Sequence, residues 1–196
     1  ELIVNNIKSR ENSLIKEIEF IPPGFINIKI NSKKFTNELP NIIKEDNNYG
    51  KNKEGENKRV LVEFVSANPT GPLTIGHGRN AILGDSISRI FEWNGYNVER
   101  EYYFNNAGRQ MRVLGESVYA RYMELLGLDF QIPDGGYEGE YIKSISKKII
   151  DKYGKSFIDD KDNQIFKESA EQFIFNDIKK TLKKLGITFD LFFNEN

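Results

Sequence analysis

The 196-residue chain has no cysteine and a single histidine, His77. The first absence excludes disulfides and thiolate metal sites, and the second leaves zinc without its usual ligand set, so no protein-bound metal is expected. An excess of one charge is also missing. With 28 basic and 29 acidic side chains the net charge is -1, which provides no bulk electrostatic footprint for nucleic acid but leaves a local basic face open. No apolar run approaches the ~20 residues of a membrane span, and no charged-then-apolar leader is visible. A cytoplasmic protein with no membrane partner is the expectation.

What is present favours a packed protein. Apolar residues make up 38% and charged residues 29%, with 14 Phe and 9 Tyr, a mix that suits a core rather than a disordered chain. The length fits one domain, or one domain and a fragment of another. The chain starts at Glu1 rather than Met and finishes in LFFNEN directly after a new strand pattern, so it reads as cut at both ends.

Along the chain, Ile18 to Ile30 (IEFIPPGFINIKI) holds two β-prone runs around Pro22-Pro23-Gly24, which predicts a hairpin. Lys44 to Lys58 (KEDNNYGKNKEGENK) contains no aliphatic residue and reads as a solvated linker. The expected organisation is therefore residues 1–43 as one small unit, 44–58 as linker, and 59–196 as the main domain. Arg59 to Val65 (RVLVEFV) is nearly continuous apolar and β-branched, as in a strand buried on both faces of a parallel sheet. Leu83, Ile87 and Ile90 then predict a helix from about His77 to Asn94, stopped at Gly95. Asn97 to Phe104 reads as a second strand. Met111, Leu114, Val118, Tyr122 and Leu125 mark a second helix, ended by Gly127. The β-α-β-α order implies an α/β fold with a Rossmann-like parallel sheet. Two further helical stretches, one through Ile142, Ile145 and Ile149, the other through Ile174, Ile178, Leu182 and Leu185, are expected as an insertion over the sheet edge. Ile187 to Phe193 then returns to a strand.

Ligands of open parallel sheets bind at the carboxyl ends of strands, where the first strand-to-helix turn exposes backbone N–H groups and a positive helix end. Val65 to Gly78 is that turn. Gly71, Gly76 and Gly78 remove the Cβ atoms that would keep a nucleotide away from the backbone, but the spacing is neither G-x-G-x-x-G nor a P-loop. His77 opens the following helix, and two roles are open to it: donor to phosphate oxygens, or cap of the helix start. Glu63, two residues before the end of the apolar strand, calls for a cationic partner if buried. Arg59 or Arg79 could serve, and so could a ligand guanidinium held in bidentate fashion; the residues alone favour the internal pairing.

The run VEFVSANPTGPLTIGHGRNAILGD closely resembles the signature of bacterial-type arginyl-tRNA synthetases, class I aminoacyl-tRNA ligases. YNVEREYYFNNAGRQ resembles that family's second strand and following turn, PDGGYEGEYI its insertion segment, LGITFDLFFNEN its next strand, and IPPGFINIKI the end of its N-terminal domain. The matches cover most of the chain in the family's order. The resemblance implies ligation of arginine to tRNA(Arg) through arginyl-adenylate, with ATP (with Mg2+) as cosubstrate and a monomer as the expected state. The signature falls on Ala67, Asn68, Pro69, Thr70, Gly71, Pro72, Leu73, Thr74, Ile75, Gly76 and His77. Within it the resemblance places ATP against Thr74, Gly76, His77 and Gly78, with Thr74 and His77 as catalytic donors. It places arginine against Glu63, Ser66, Asn68 and Asn106. Glu63 thereby becomes a ligand for arginine rather than half of an internal ion pair, while Ser66 also shapes the turn.

Two departures stand out. Thr74 occupies the position of the family's first motif histidine, is shorter and cannot become cationic; losing one such donor elsewhere costs ~10²–10³ in rate. Asn106 stands where the family pattern has Asp, so the shape is kept and the charge is removed. Gly71 stands where some relatives carry a Lys. The family's lysine loop and anticodon-binding domain have no counterpart in these residues, so no aminoacylation is expected of this chain alone. A non-catalytic ATP- or arginine-binding fragment or decayed paralogue is the alternative, and another nucleotidylyl transferase on the same fold a third reading.

Overall fold

The computed structural model describes residues 1–10 and 12–195. The chain divides into two compact units, Glu1–Lys51 and Asn52–Asn196.

In the first unit, helix α1 (Leu2–Lys8) precedes an antiparallel hairpin of β1 (Ile15–Ile21) and β2 (Phe25–Ile30), followed by α2 (Ser32–Glu45) and a single 3-10 turn at Asp46–Asn48. The turn at Pro22-Pro23-Gly24 closes the hairpin in the register Ile21 to Phe25. Among the described residues of this unit, Val4 on α1 and Ile18 on β1 are the buried apolar side chains. Asn31 caps α2 by accepting from Lys33 N–H.

The second unit is a mixed α/β structure around a parallel sheet of β3 (Arg59–Glu63), β4 (Asn97–Phe104) and β5 (Leu191–Asn194), in the order β3-β4-β5. Helix α3 (Ile75–Trp93) connects β3 to β4. Helices α4 (Gly108–Leu125), α5 (Glu140–Tyr153) and α6 (Gln164–Lys184) connect β4 to β5. The end of the polar stretch 44–58 is tied into this unit. Asn52 and Gly55 donate backbone N–H groups to Trp93 and Asn94 carbonyls at the foot of α3, at 3.3 and 2.8 Å.

The core lies where α4, α5 and α6 meet one another and the sheet. Met111, Leu114, Val118, Tyr122, Ile142, Ile145, Ile149, Phe166, Ile174, Ile178 and Leu182 are buried there, each on the helical spacing its sequence prescribes. Leu125 and Leu185, which extend the same patterns, sit at helix ends and are exposed. From α6, Phe175 packs onto one face of the sheet, against Tyr102, Phe104 and Phe192, with ring centroids 4.5–6.3 Å apart. Side chains alternate across a strand, so Tyr103 and Phe193, stacked at 5.8 Å, lie on the opposite face.

Two sequence expectations are overturned. The strand at residues 59–65 is not buried on both faces: it ends at Glu63, and Leu61 and Glu63 are exposed. Among the described residues β3 has one neighbouring strand; Val62, and Phe64 just beyond its end, are the side chains turned to the core. The second concerns α3. Leu83, Ile87 and Ile90 are exposed, whereas Ala81, Gly84, Asp85 and Ser88 face inward. Small residues on this face let the helix approach the sheet closely. A Cβ added at Gly84 would fall inside the ring and the Cβ of Phe64, a side-chain stem that cannot swing away. We therefore expect Gly84→Ala to destabilise the chain by about 1–3 kcal/mol through overpacking, despite alanine's better helix propensity. Urea unfolding monitored by circular dichroism measures this; a variant as stable as the parent would mean that α3 does not pack this closely.

Candidate functional site

The chain leaves β3 through a turn that no helix or strand pattern describes. Val65 and Ser66 both take left-handed conformations, with φ of 67° and 45°. For a β-branched valine this is an outlier, and such positions cost about 1–3 kcal/mol each unless their surroundings over-determine them. Here several bonds do so. Asn80, on α3, accepts from Val65 N–H at 2.6 Å, and the hydroxyl of Ser66 accepts from Tyr103 N–H at 3.2 Å. One residue further, the fully buried Tyr102 donates its O–H to the carbonyl of Ala67 at 2.8 Å and accepts from Ala67 N–H at 3.2 Å. Burial pushes the Tyr102 phenol up to about 12, against a smaller opposing effect of the Ala67 bond. Sequence patterning marks Tyr102 as a strand residue only; nothing local shows that its hydroxyl clamps the turn 35 residues away.

Asn68 joins this turn to the one after β4. Its Oδ1 accepts from Asn105 N–H at 2.9 Å and its Nδ2 donates to Gln110 Oε1 at 3.2 Å. Pro69 is fully buried, and Thr70 presents its carbonyl to Tyr141 O–H at 2.9 Å. The Tyr141 hydroxyl also borders Gly71, where an added Cβ would come within 3.2 Å of it. Pro72 is exposed, Leu73 packs against the core, and Ile75 is 95% exposed. Gly76 and Gly78 differ from Gly71: a Cβ at Gly78 would meet nothing within 4 Å, and one at Gly76 only the Thr74 hydroxyl at 3.6 Å. The amino end of α3 therefore has room against its backbone, as a nucleotide needs.

Thr74 is the N-cap of α3. Its hydroxyl accepts from His77 N–H at 3.4 Å while its own N–H donates to His77 Nδ1 at 3.1 Å, a reciprocal capping box in which histidine takes the part usually played by glutamate. Both roles considered for His77 thus have a physical basis: one ring nitrogen caps, and Nε2 has no partner among the described residues.

Glu63 ends β3 exposed, so the desolvation cost anticipated for a carboxylate inside a buried strand does not arise. Arg59 pairs with Glu99 at 3.2 Å. At the same end of the sheet, after β5, stands a second acidic group that the sequence did not single out, Glu195. The Tyr103 phenol is pushed up from its ordinary value, first by desolvation, then by Glu195 and Glu63. Glu195 follows β5 and is also hydrogen-bonded by Asn105 Nδ2. Asn106 faces elsewhere: its amide donates to Glu171 on α6 at 2.8 Å and accepts from Asn194 at 3.2 Å. The structure therefore brings Glu63, Ser66, Asn68, Thr74, Gly76, His77 and Gly78 to the carboxyl edge of the sheet, and places Asn106 in a bridge between α6 and β5. Among the described residues no three His, Asp or Glu side chains gather as a metal site, and no helix is long and apolar enough to cross a membrane.

Comparison with known proteins gives a consistent picture. The family model described as tRNA synthetases class I (R), catalytic domain, matches residues 38–190. An arginine–tRNA ligase from Desulfotalea psychrophila is 50% identical over 185 residues, which is 94% of this chain and 34% of that protein. One from Chlorobium phaeobacteroides is 45% identical over 194 residues, 99% of this chain and 35% of that protein. A crystal structure from Campylobacter jejuni described as an arginyl tRNA synthetase superposes with a TM-score of 0.73 at 36% identity, covering 84% of this chain and 37% of the other. The Thermus thermophilus arginyl-tRNA synthetase, at 21% identity and a TM-score of 0.56 over 99% of this chain and 32% of the other, shares the fold. The chain spans about a third of the length of the curated relatives it matches.

Proposed function

Because the chain belongs to the family of class I arginyl-tRNA synthetase catalytic domains, we propose that its second unit is the part of an arginine–tRNA ligase that receives ATP and arginine. The residues 1–43 are then the end of an N-terminal additional domain. In this reading, set in the cytoplasm, the arginine carboxylate attacks the α-phosphorus of ATP. An oxygen–phosphorus bond forms, the bond to the pyrophosphate oxygen breaks, and arginyl-adenylate and pyrophosphate result. The arginyl group then passes to a hydroxyl of the terminal ribose of tRNA(Arg): an ester bond forms, the acyl–phosphate bond breaks, and AMP leaves. Magnesium would travel on the ATP phosphates, where it offsets their charge.

The chain's own contribution is positioning and charge stabilisation. N–H groups at the amino end of α3, together with His77, face the phosphoryl oxygens as negative charge builds there. Gly76 and Gly78 leave room for the nucleotide, and Asn68 holds the polar end of the amino acid between the two turns. The observation that carries this reading is the open amino end of α3, where Gly76 and Gly78 leave room against the backbone and His77 Nε2 has no partner among the described residues, at the sheet edge where Glu63 ends β3 exposed. An exposed carboxylate at that edge suits a guanidinium, which binds carboxylates through two parallel N–H donors.

Calorimetric titration of the 196-residue chain tests it. Arginine should bind at least about tenfold more tightly than citrulline, its neutral isostere. Glu63→Gln should weaken arginine binding by about 10–100-fold, the value of a charge-assisted bond, without lowering thermal stability, because Glu63 is exposed. Equal affinity of the variant for arginine would remove Glu63 from the site. Binding of ATP without arginine would favour another nucleotidylyl transferase.

A further inference from the structure

The only imidazole of the chain is held through one nitrogen by the residue that opens its own helix. Thr74 N–H donates to His77 Nδ1 at 3.1 Å. A backbone amide can only donate, so Nδ1 must present its lone pair, and a neutral imidazole with Nδ1 as acceptor carries its proton on Nε2. The Thr74 hydroxyl strengthens this choice. Its oxygen accepts from His77 N–H at 3.4 Å and lies 3.2 Å from the same Nδ1, so its own hydrogen is free to point at that lone pair. Two donors on Thr74 therefore converge on one ring nitrogen.

We propose that Thr74 is a positioning residue that fixes His77 as an Nε2–H hydrogen-bond donor, so that His77 serves the reaction as a fixed donor to phosphoryl oxygen and not as a carrier of protons. The chemistry follows from the tautomer. An imidazole whose Nδ1 is already occupied as an acceptor, and whose Nε2 bears the proton, offers no basic nitrogen to a substrate. What it offers is one oriented N–H, as stabilisation of charge on a phosphoryl group requires. Threonine at 74 then contributes without touching the substrate: it caps the helix and sets which nitrogen of His77 is the donor. The last step, from donor to phosphoryl ligand, rests on the nucleotide reading above; the assignment of the tautomer does not.

Because the chain has one histidine, long-range proton–nitrogen NMR of the uniformly labelled 196-residue protein shows a single imidazole. In the absence of ligand the spectrum should show a pyridine-like Nδ1 and a pyrrole-like Nε2. Thr74→Val keeps the backbone N–H and the side-chain size but removes the hydroxyl, and should shift the tautomer ratio toward the alternative form by about twofold to tenfold, the worth of one neutral hydrogen bond. Thr74→Ser should restore the parent spectrum. Thr74→Asp remains a good N-cap, but its carboxylate attracts a proton onto Nδ1, so the pattern should move toward Nδ1–H; this variant keeps the test open if the valine variant does not fold. A parent spectrum showing Nδ1–H or an even average, or an unchanged tautomer in both the valine and aspartate variants, would overturn the proposal and leave Thr74 a simple cap. Addition of ATP should then move the Nε2 resonance more than Nδ1; absence of that response, with the tautomer as stated, counts against the nucleotide reading alone.

Discussion

Tyr102→Ala should destabilise the chain by about 3–5 kcal/mol, the usual cost of deleting a large buried aromatic ring. The ring is fully buried and lies within 5.1–6.2 Å of Phe175, Phe189 and Phe192. Tyr102→Phe separates packing from clamping. It keeps the ring but leaves both the N–H and the C=O of Ala67 without their partner, and should cost about 1–3 kcal/mol. Because Ala67 precedes Asn68, this variant should also weaken arginine binding while Gly84→Ala, which perturbs packing elsewhere, changes affinity less. The phenol adds a dependence on pH. Burial holds its pKa at about 12 in the folded chain, against the ordinary value of about 10 for tyrosine. Between those values the folded state binds more protons than the unfolded one, so stability is fully present below pH 10 and declines as pH rises towards 12, by about 2–3 kcal/mol from this group. Denaturant unfolding across that range should show a shallower alkaline decline in Tyr102→Phe. A variant with the parent's alkaline profile would mean that Tyr102 is not the group responsible.

Arg100→Met should cost about 3 kcal/mol, towards the lower end of what removing one partner of a buried ion pair costs. Only 13% of the Arg100 side chain is exposed, and it lies between Asp85, at 3.5 Å, and Glu92, which it meets through two bonds of 2.6 and 3.0 Å. Its backbone is tied to Asp190 in both directions, N–H to Oδ2 at 2.8 Å and C=O to Asp190 N–H at 3.0 Å. One residue of β4 thus fixes α3 on one side and the entry to β5 on the other, and α3 carries the capped terminus at the candidate site. Hydrogen bonding to Arg100 lowers the Glu92 carboxyl below its ordinary 4.5. A depressed carboxyl contributes stability that is present above the unfolded value and lost as pH falls through the folded one. Glu92 is 44% exposed, so solvent screening limits this share to about 0.5–1 kcal/mol. The hydrogen bond to Glu92 pushes the Arg100 guanidinium further up, so it stays charged throughout. Comparing unfolding at neutral pH and below pH 4 should therefore show a smaller acid loss in Arg100→Met. If the variant matches the parent in stability, Asp85 and Glu92 have found other partners and the cluster does not hold α3.

The amino-acid sequence by itself determined the order of elements in the second unit, the hairpin at Pro22-Pro23-Gly24, the helical faces of α4, α5 and α6, and the turn at which the candidate site lies. Each is a local property: turn residues restrict their own backbone, and a periodic apolar stripe marks a face whenever one side of a helix is covered. Tertiary structure decided the rest. On α3 two stripes compete, and the small one, Ala81, Gly84 and Ser88, wins because close approach to Phe64 excludes larger side chains. Glu63 is exposed because burial belongs to the neighbours of a strand and not to its own composition. The clamp of Tyr102 on Ala67, the bond from Asn105 to Glu195, and the bridge made by Asn106 join residues far apart in the chain. Spacing along a sequence carries no record of such meetings, because only the folded path of the backbone brings the partners within a bond length's reach.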